Sequence, residues 1–380
     1  MRILQVLPAL VSGGVERGTV EIASALQAAG HHAWVASAGG PLVADIEHVG
    51  AVHHRLPLKT KNPWVMGNNA LALARLIRDQ GIDLVHARSR APAWSALAAA
   101  RICGLPFVTT YHGIYGQGSG IKRFYNSVMA RGDVVIAPSQ FARDYLMQHH
   151  PHTDPQRVVV IPRGVDTDYF DPALWAGRPL EIPALAALLQ RAARPFWVLP
   201  ARLSRWKGHD LALSAFARSG VGGSLMFCGA DTPDAPYRQE LSQKIRDLGL
   251  GERVFFGNLP ADTMPALYAA ADYVLSPSMK PESFGRVIIE AAAMAKIVIA
   301  THHGGAAESI LSGQTGFLIP VDQAETALAQ TMKTVWALSD AARHTLCQAA
   351  RQRIIATYSL SAMQQATLDV YHTLSARQKR

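Results

Sequence analysis

Residues 281–291, PESFGRVIIEA, decide how the chain folds. The apolar run at 271–278 predicts a buried strand that ends in a loop, and the alanine-rich run at 291–295 predicts a helix. A strand, a glycine-containing loop and a helix in this order form the repeating unit of a parallel α/β sheet. We expect Ser283 to cap a helix over residues 283–295, whose first N–H groups lack partners and would attract an anion.

Two carboxylates bracket this helix start. Glu282 precedes it and Glu290 lies eight residues further on, which along a helix is a separation of roughly 12 Å or less. A carboxylate accepts hydrogen bonds from hydroxyl groups and donates none. The spacing therefore suits a ligand with a diphosphate in the middle and hydroxyl-rich groups at both ends. The alternative is two solvated glutamates beside an ordinary helix.

The composition restricts the class of protein. A chain of 380 residues fits two domains, and 49% hydrophobic with 17% charged residues is typical of a packed globular protein. The net charge of +9 leans to residues 1–166, which hold 16 Lys and Arg against 10 Asp and Glu. Such an excess suits phosphorylated ligands, anionic lipid or nucleic acid. Because there is no basic tail or nucleic-acid motif, we expect no nucleic acid partner.

The cysteines and the apolar runs bear on the compartment. Cys103, Cys228 and Cys347 are widely spaced, which predicts a reducing compartment without a disulfide or metal framework. The segment 1–7 is too short for a signal-peptide core and predicts a strand, and no apolar run approaches the roughly 20 residues of a membrane span. We expect a cytoplasmic protein, whose membrane contact would be peripheral on the inner face.

Strand and helix patterns alternate from the first residue. A strand at 3–7, a helix at 15–30 and a strand at 32–38 predict a parallel, doubly wound sheet. Further strands are predicted at 52–56, 84–86, 107–111, 134–138, 158–162, 196–200, 225–229, 254–256, 273–276, 297–300 and 316–319. Further helices are predicted at 69–80, 94–103, 121–131, 140–148, 210–217, 237–248, 264–270, 323–338 and 361–375.

This alternation divides the chain into two doubly wound domains, predicted at 1–165 and 166–360, with a final segment at 361–380. Ligands of such folds bind at the carboxyl ends of the strands. In the first loop, Gly13 and Gly14 would let the backbone approach a phosphate, and an ordinary turn would need them equally. Their spacing is not that of the dinucleotide fingerprint.

Cations follow the first strand of the second domain. Arg202 and Lys207 lie between that strand and the next helix, where they would neutralise a leaving diphosphate. Arg205 is a further candidate. The alternative is an exposed basic loop.

Two polar residues follow strands of the first domain. His112 precedes a glycine-rich loop at 113–120 and would hydrogen-bond a sugar hydroxyl or an oxyanion, unless it is one of the chain's structural histidines. Ser139 follows the next strand, where it would serve as a site residue or cap a helix.

Together these elements resemble the retaining glycosyltransferases of family 4, which have the GT-B fold. The resemblance covers nearly the whole chain and rests on Glu282 and Glu290 with seven residues between them, on Arg202 and Lys207, and on His112 before a glycine. It implies two Rossmann-like domains facing a central cleft, an acceptor-binding first domain and a nucleotide-sugar-binding second domain. It also implies that the C-terminal helix crosses back to the first domain.

The resemblance also implies roles for residues. The catalytic residues would be His112, Arg202, Lys207 and Glu282. The donor would be bound by Gly13, Gly14, Arg202, Lys207, Glu282, Ser283, Phe284, Gly285, Arg286 and Glu290. Further candidates are Ser139, Arg163, Gly304 and Gly305. Ala201 stands where the family usually has glycine, Arg163 where it most often has asparagine, and Arg286 where it usually has an apolar or small residue, so the effects of these replacements stay open.

The implied reaction moves a sugar from a nucleoside-diphosphate sugar to a lipid-linked or oligosaccharide acceptor with retention. UDP-glucose or a UDP-hexosamine is the first choice of donor and GDP-mannose the second, in lipopolysaccharide, capsule or exopolysaccharide biosynthesis. No metal cofactor is expected, because cations and a helix dipole take its place, and His302 and His303 lack a third ligand at suitable spacing. The alternatives are a nonhydrolysing nucleotide-sugar epimerase, a phosphorylase and a non-catalytic sugar-nucleotide-binding protein.

The segment at 120–131 mixes cations with Phe, Tyr, Val and Met. With Lys59, Lys61, Arg88 and Arg90 on the same domain, it predicts an interfacial helix on an anionic membrane. The alternative is an amphipathic helix that faces the core with solvated cations.

Overall fold

The computed structural model describes residues 1–11, 13–115, 119–229 and 235–378. Part of the loop predicted at 113–120 therefore lies outside the described residues. The chain divides into two compact units. Unit 1 comprises Met1–Arg163 and the chain from Leu360 onward, and unit 2 comprises Gly164–Ser359.

Unit 1 is built on a seven-stranded parallel sheet with the order β3-β2-β1-β4-β5-β6-β7. Its strands are β1 (Arg2–Val6), β2 (His32–Ser37), β3 (Val52–Arg55), β4 (Leu84–Ala87), β5 (Phe107–Thr110), β6 (Val134–Ala137) and β7 (Val158–Val160). Strands β4 and β5 are buried at every residue, because helices cover both faces of the sheet.

The helices of unit 1 alternate with these strands. They are α1 (Gly14–Ala28), α2 (Val43–His48), α3 (Pro63–Gln80), α4 (Arg90–Ile102), α5 (Gly120–Asn126) and α6 (Gln140–His149). The sequence sets the ends of α3 directly. The Asn62 side chain caps the first turn by accepting from Trp64 N, Pro63 occupies the first position, and Gly81 ends the helix with φ 59°.

Unit 2 is built on a six-stranded parallel sheet with the order β10-β9-β8-β11-β12-β13. Its strands are β8 (Phe196–Pro200), β9 (Ser224–Cys228), β10 (Val254–Gly257), β11 (Tyr273–Ser276), β12 (Ile297–Thr301) and β13 (Phe317–Ile319). Its helices are α7 (Pro183–Leu189), α8 (His209–Ser219), α9 (Ala235–Asp247), α10 (Met264–Ala270), α11 (Arg286–Ala293), α12 (Ala324–Trp336) and α13 (Asp340–Thr357). The predicted fold of two doubly wound parallel sheets is confirmed.

The last helix, α14 (Leu360–Gln378), belongs to unit 1 and packs against α1. Its buried face includes Met363, Thr367 and Tyr371, which repeat at four-residue spacing. Within the described ranges, no helix combines the length and the apolar character needed to cross a membrane.

The prediction that Ser283 caps a helix starting at 283 is wrong. Helix α11 begins at Arg286 with Gly285 as its N-cap, and it ends at Ala293. Phe284 is 7% exposed and belongs to the core of unit 2, while Gly285 packs against Ala306. The residues before α11 are not helical, because their backbone conformation places the Phe284 side chain in the core. The helix therefore begins after Gly285.

Other helices also differ from the prediction, and the short helices α2 and α7 were not predicted. The predicted helix at 121–131 is α5 followed by a 3-10 turn at Ser127–Ala130. Helix α13 was not predicted, although it has 18 residues. Its buried residues are Leu346, Ala350 and Ile354, a stripe too narrow to give a strong periodic signal in the sequence.

Arg351 fixes α13 to the rest of unit 2. Its guanidinium donates to the carbonyls of Phe170, at 2.9 Å, and Ala293, and pairs with Asp171 at 3.0 Å. We expect Arg351→Met to destabilise unit 2 by roughly 2 kcal/mol, because two carbonyls and a carboxylate lose a charged donor. Thermal unfolding should show this as a fall in Tm of several degrees.

The control is Arg246→Met, which removes an exposed arginine from α9 in the same unit. An equal fall in Tm for both variants would contradict the assignment of Arg351 as the link between α13 and its neighbours.

Candidate functional site

Three loops meet at the carboxyl edge of the sheet in unit 2. They follow β8, β11 and β12, which are neighbours in the order β8-β11-β12. Parallel strands end at the same edge, so the loops that follow them lie side by side. These loops carry Lys207, Glu282 and the Gly304–Gly305 pair.

Lys207 and Glu282 form an ion pair of 2.8 Å between Nζ and Oε2. Their side chains are 17% and 18% exposed, so the pair is partly removed from water. The Ser278 hydroxyl donates to the other carboxylate oxygen of Glu282, and the Lys207 ammonium lies 4.4 Å from the centroid of the Trp206 ring. The carboxylate is therefore held by donors on both oxygens.

The loops that carry this pair are joined through their backbones. Gly208 has φ 78°, and a Cβ there would lie 2.0 Å from the Pro277 carbonyl oxygen. The Met279 amide donates to the Trp206 carbonyl at 2.7 Å. Glycine is required at 208 both for its left-handed backbone and for this close approach.

Residues after β12 hold the Glu282 loop from the other side. Thr301 Oγ1 donates to the Ser278 carbonyl at 2.7 Å, and His303 Nε2 lies at hydrogen-bond distance from the same oxygen. Ser278 and Thr301 are buried at 3% and 2% exposure. Ser278 and Thr301 were not predicted as site residues, and His303 was considered only as a metal ligand, because their contacts with the Glu282 loop are not visible in the sequence.

Gly304 and Gly305 support Glu282 through its backbone. A Cβ at Gly304 would lie 2.6 Å from the Glu282 carbonyl oxygen and 2.7 Å from its nitrogen, and Gly304 has φ 69°. The Gly305 amide donates to the Glu282 carbonyl at 2.8 Å. The two glycines thus fix the position of this carboxylate.

Glu290 lies on α11, one turn past its start. The Tyr268 hydroxyl donates to Glu290 Oε2 at 3.1 Å, and Arg286 Nε lies 3.4 Å from Oε1. Burial, followed by the Glu290 charge, holds the pKa of Tyr268 well above its usual value, so this phenol stays a donor. Tyr268 was not predicted, since in the sequence it looks like a core residue of α10.

The first turn of α11 has an unusual charge. Arg286 is a cation at the first helical position, where the helix dipole favours an anion, and Glu290 compensates it at i+4. An anion bound at this end of the helix would meet both the first N–H groups of the helix and the guanidinium. Among the predicted donor residues here, Ser283 is half-buried, while the side chain of Phe284 is part of the core.

Arg202 does not join the Lys207–Glu282 pair. Its side chain is exposed after the end of β8, and among the described residues it enters none of the ion pairs. Arg205 is paired at 2.7 Å with Glu240 on α9. His209, which the sequence analysis missed, is fully buried, lies 3.3 Å from the Ala201 carbonyl, and has its pKa lowered to about 4 by burial.

Gly13, Gly14 and Arg163 come together in unit 1. Gly13 is the N-cap of α1, and Arg163 Nη2 donates to the Gly14 carbonyl at 2.8 Å and lies 3.4 Å from Glu21 Oε2. A Cβ at Gly18 would lie 1.8 Å from Arg163 Nη2, so α1 needs a glycine where the guanidinium crosses it. Arg163 was predicted as a cation for the diphosphate, or as an influence on sugar recognition. The structure shows it 7% exposed, with its guanidinium 3.4 Å from the Glu21 carboxylate.

His112 and Ser139 follow β5 and β6. His112 is half-buried, and its pKa is held well below the usual value by burial, followed by the charges of Arg88 and Arg163. It is therefore neutral at pH 7. Ser139 is buried and caps α6 by accepting from Ala142 N at 3.0 Å, which is the helix-capping alternative considered for it.

The described part of the chain contains no group of three or more His, Cys, Asp or Glu residues arranged to hold a metal ion. His302 and His303 are neighbours in sequence, but His303 is directed to the Ser278 carbonyl.

Comparison with known proteins gives matches over nearly the whole chain. Residues 12–169 match the family Glycosyltransferase Family 4, and residues 186–353 match Glycosyl transferases group 1. The alpha-maltose-1-phosphate synthase of Mycolicibacterium smegmatis is 28% identical over 87% of this chain and 91% of its own.

Solved structures of glycosyltransferases are also similar to this chain. A glycosyltransferase from Rickettsia africae is 36% identical, with a TM-score of 0.89 and coverage of 98% of both chains. HepE from Anabaena, solved in complex with UDP and glucose, is 26% identical, with a TM-score of 0.85 and coverage of 98% of this chain and 100% of its own.

The contact between Gly304 and Glu282 can be tested by stability. We expect Gly304→Ala to cost at least 2 to 3 kcal/mol, since the new Cβ adds a clash with the Glu282 backbone to the roughly 1 kcal/mol of left-handed backbone strain. Gly313→Ala is the matched control, because Gly313 has φ 78° and no atom within 4 Å of its ideal Cβ. Denaturant unfolding of both variants measures the difference, and equal losses would contradict the close approach at Gly304.

Proposed function

Because the chain belongs to the family 4 glycosyltransferases with the GT-B fold and is a hexosyltransferase with a nucleotide-sugar donor, we propose that it is a retaining enzyme of envelope-glycan assembly. Its donor is UDP-glucose or a UDP-hexosamine, with GDP-mannose as the second choice. Its acceptor is a lipid-linked or oligosaccharide glycan of lipopolysaccharide, capsule or exopolysaccharide. The observation that carries the proposal is the 2.8 Å ion pair of Lys207 and Glu282 on adjacent loops.

The diphosphate is assigned to Lys207, Arg202 and the start of α11. The Lys207 ammonium pairs with one carboxylate oxygen of Glu282 and has further N–H donors. It can therefore bind a phosphate and Glu282 at the same time. The positive end of the α11 dipole and the Arg286 guanidinium supply further attraction for the diphosphate. These groups neutralise the leaving diphosphate and take the role that a metal ion plays elsewhere.

The two carboxylates are assigned to hydroxyl groups at either end of the donor. Glu282 binds hydroxyls of the transferred sugar, and Glu290 binds the ribose. Both are held in place before the donor arrives, Glu282 by Ser278 and Lys207, and Glu290 by Tyr268 and Arg286. Such preorganisation lowers the cost of ordering them in the transition state.

The proposed step is a front-face displacement. The bond between the anomeric carbon and the diphosphate oxygen breaks while the acceptor oxygen bonds to that carbon on the same face. The acceptor proton passes to the leaving diphosphate oxygen, so charge and atoms balance without a covalent enzyme intermediate. His112, neutral at pH 7, is assigned to the transferred sugar as a hydrogen-bonding group.

The donor class can be tested by thermal shift with UDP, GDP, ADP and their common sugar conjugates. A ligand at a hundred times its Kd stabilises by about 2.7 kcal/mol, which gives a clear rise in Tm. Selective stabilisation by UDP compounds supports the first choice of donor. Product analysis then separates the reaction types: a transferase needs an acceptor, whereas an epimerase releases a new nucleotide sugar without one. The anomeric configuration of the product tests retention.

We expect Lys207→Ala and Glu290→Ala each to lower kcat/KM for transfer by at least a hundredfold. Lys207→Ala removes charge from the leaving diphosphate, and Glu290→Ala removes the acceptor for the ribose hydroxyls. The controls are Lys244→Ala and Glu240→Ala, which break the surface pairs with Asp210 and Arg205 in the same unit. Near-normal rates for the first two variants would refute the site assignment.

An exposed apolar group on unit 1 supports a membrane-bound acceptor. Trp64, Ile121 and Phe124 are 86%, 84% and 61% exposed. The Phe124 ring stacks on the Trp94 ring of α4, with 5.0 Å between the ring centroids. Helix α4 also contacts the first turn of α3, because the Ser95 hydroxyl donates to the Met66 carbonyl. The side chains of Ile121 and Phe124 thus face solvent, whereas Val128 and Met129 of the same segment are buried in the core.

Cations surround this apolar group. Lys59, Lys61, Lys122 and Arg123 are all exposed. Aromatic and aliphatic side chains that enter the interface, with lysine and arginine beside them, are the features of a peripheral site for anionic lipid. We assign this surface to the inner membrane face, where a lipid-linked acceptor would be found.

We expect the double variant Trp64→Ser with Ile121→Ser to bind vesicles of phosphatidylglycerol and phosphatidylcholine at least tenfold more weakly than wild type, because each apolar side chain contributes about 1.5 to 3 kcal/mol on burial. Vesicle sedimentation measures this. Trp336→Ser is the control, because Trp336 is 47% exposed on unit 2. Unchanged binding of the double variant would contradict the membrane assignment and leave the donor assignment intact.

A further inference from the structure

Trp206 contacts both loops that form the Lys207–Glu282 ion pair, although the proposed reaction does not use it. Its carbonyl accepts from the Met279 amide at 2.7 Å, which joins the loop after β8 to the loop that carries Glu282. The centroid of its ring lies 4.4 Å from Lys207 Nζ. The same ammonium is 2.8 Å from Glu282 Oε2. The Lys207 ammonium therefore has an aromatic ring and a carboxylate as neighbours.

The contact between the Trp206 ring and the Lys207 ammonium does not follow from their adjacency in the chain. Both residues lie in the 3-10 turn Arg205–Lys207. A 3-10 helix has about three residues per turn, so consecutive side chains leave it in directions about 120° apart. The lysine side chain must therefore bend back to reach the ring. The negative face of a tryptophan ring attracts a cation within about 6 Å of its centroid, which stabilises this bent conformation.

The ring restrains the ammonium without using up its hydrogen bonds. An ammonium has three N–H donors, and a ring face attracts the charge without accepting a directed hydrogen bond. Lys207 donates to Glu282 Oε2, which leaves donors for a phosphate. A second carboxylate in place of the ring would also restrain the ammonium, but it would neutralise the charge that a leaving diphosphate needs.

Restraint is important for lysine because its side chain is long and flexible, and ordering it costs rotamer entropy. The side chains of Lys207 and Glu282 are 17% and 18% exposed, so the ammonium is held partly away from water, where electrostatic attraction is stronger. An ammonium that is fixed before the diphosphate arrives has less freedom to lose when it binds.

We propose that Trp206 is a positioning residue for the transfer reaction and that it acts through Lys207. Its ring fixes the Lys207 ammonium beside Glu282, and the remaining N–H donors then meet the charge that develops on the leaving diphosphate. This role rests on the proposed function, in which the diphosphate is the ligand of Lys207. It requires no contact between Trp206 and the donor itself.

The test measures by calorimetry how tightly the full chain binds UDP, the leaving group of the favoured donors, or GDP if wild type binds only GDP. We expect Trp206→Leu to raise the Kd roughly tenfold, because the aromatic face that restrains the ammonium is lost. Trp206→Phe keeps an aromatic face and should restore most of the affinity. Phe256→Leu is the matched control and should bind as wild type does, because it removes a ring on the edge strand β10 that lies 4.9 Å from the Arg238 guanidinium.

A double-mutant cycle separates positioning from a general structural effect. Trp206→Leu should weaken binding in wild type, but it should have no further effect once Lys207→Ala has removed the ammonium. Equal losses in both backgrounds, or unchanged or tighter binding by Trp206→Leu alone, would overturn the role of Trp206. If instead Lys207→Ala binds as wild type does, or wild type binds neither nucleotide, the proposed function fails and this role fails with it.

A crystal structure of wild type with the same nucleotide needs no variant and decides the matter if Trp206→Leu fails to fold. Lys207 Nζ should lie within about 3.2 Å of a phosphate oxygen and still within about 6 Å of the Trp206 centroid. An ammonium that binds the phosphate but has left the ring would overturn the positioning role alone. An ammonium that does not contact the diphosphate would contradict the proposed function.

Discussion

The Lys207–Glu282 ion pair depends on two places where one backbone lies too close to another for any side chain. At Gly208 the loop after β8 meets the Pro277 carbonyl, and at Gly304 the loop after β12 meets the backbone of Glu282. Neighbouring parallel strands bring the three loops to one edge, and these contacts set how closely the loops approach each other. The chemistry of the site therefore rests on glycines that carry no functional group, because only glycine adopts their left-handed backbones without strain and leaves room for the facing backbone.

Much of this could be predicted from the sequence, because the informative signals were local. Runs of buried β-branched residues followed by helical periodicity predict the alternation, and strand ends followed by Lys207 or Glu282 indicate which side chains share an edge. Helix α13 and the start of α11 could not be predicted in the same way. In α13 only every fourth residue is buried, and α11 starts late because Phe284 belongs to the core. Both depend on packing between segments distant in sequence.

Arg163 shows why a single position in a motif is a weak guide to role. Its place after β7 suggested a cation for the ligand, yet its partners are Gly14 and Glu21 on α1, far away in sequence. The glycine at 18 makes room for this guanidinium. No local pattern connects residues 18, 21 and 163, so only the folded chain reveals that this cation is already paired. Arg88 differs from Arg163, because its Nε and Nη2 atoms have no hydrogen-bond partner within the described ranges.

The charge balance of the donor-binding region explains how a cationic site can persist without its ligand. Lys207 and Arg286 are each paired with a carboxylate, and these two pairs are the groups assigned to the two ends of the donor. Without donor, the pairing of opposite charges lowers the free-energy cost of holding these side chains partly away from water. In the proposed binding mode, Lys207 would keep Glu282 as one neighbour and gain a phosphate as another, while exposed Arg202 and the N-terminal end of α11 would supply the remaining positive charge.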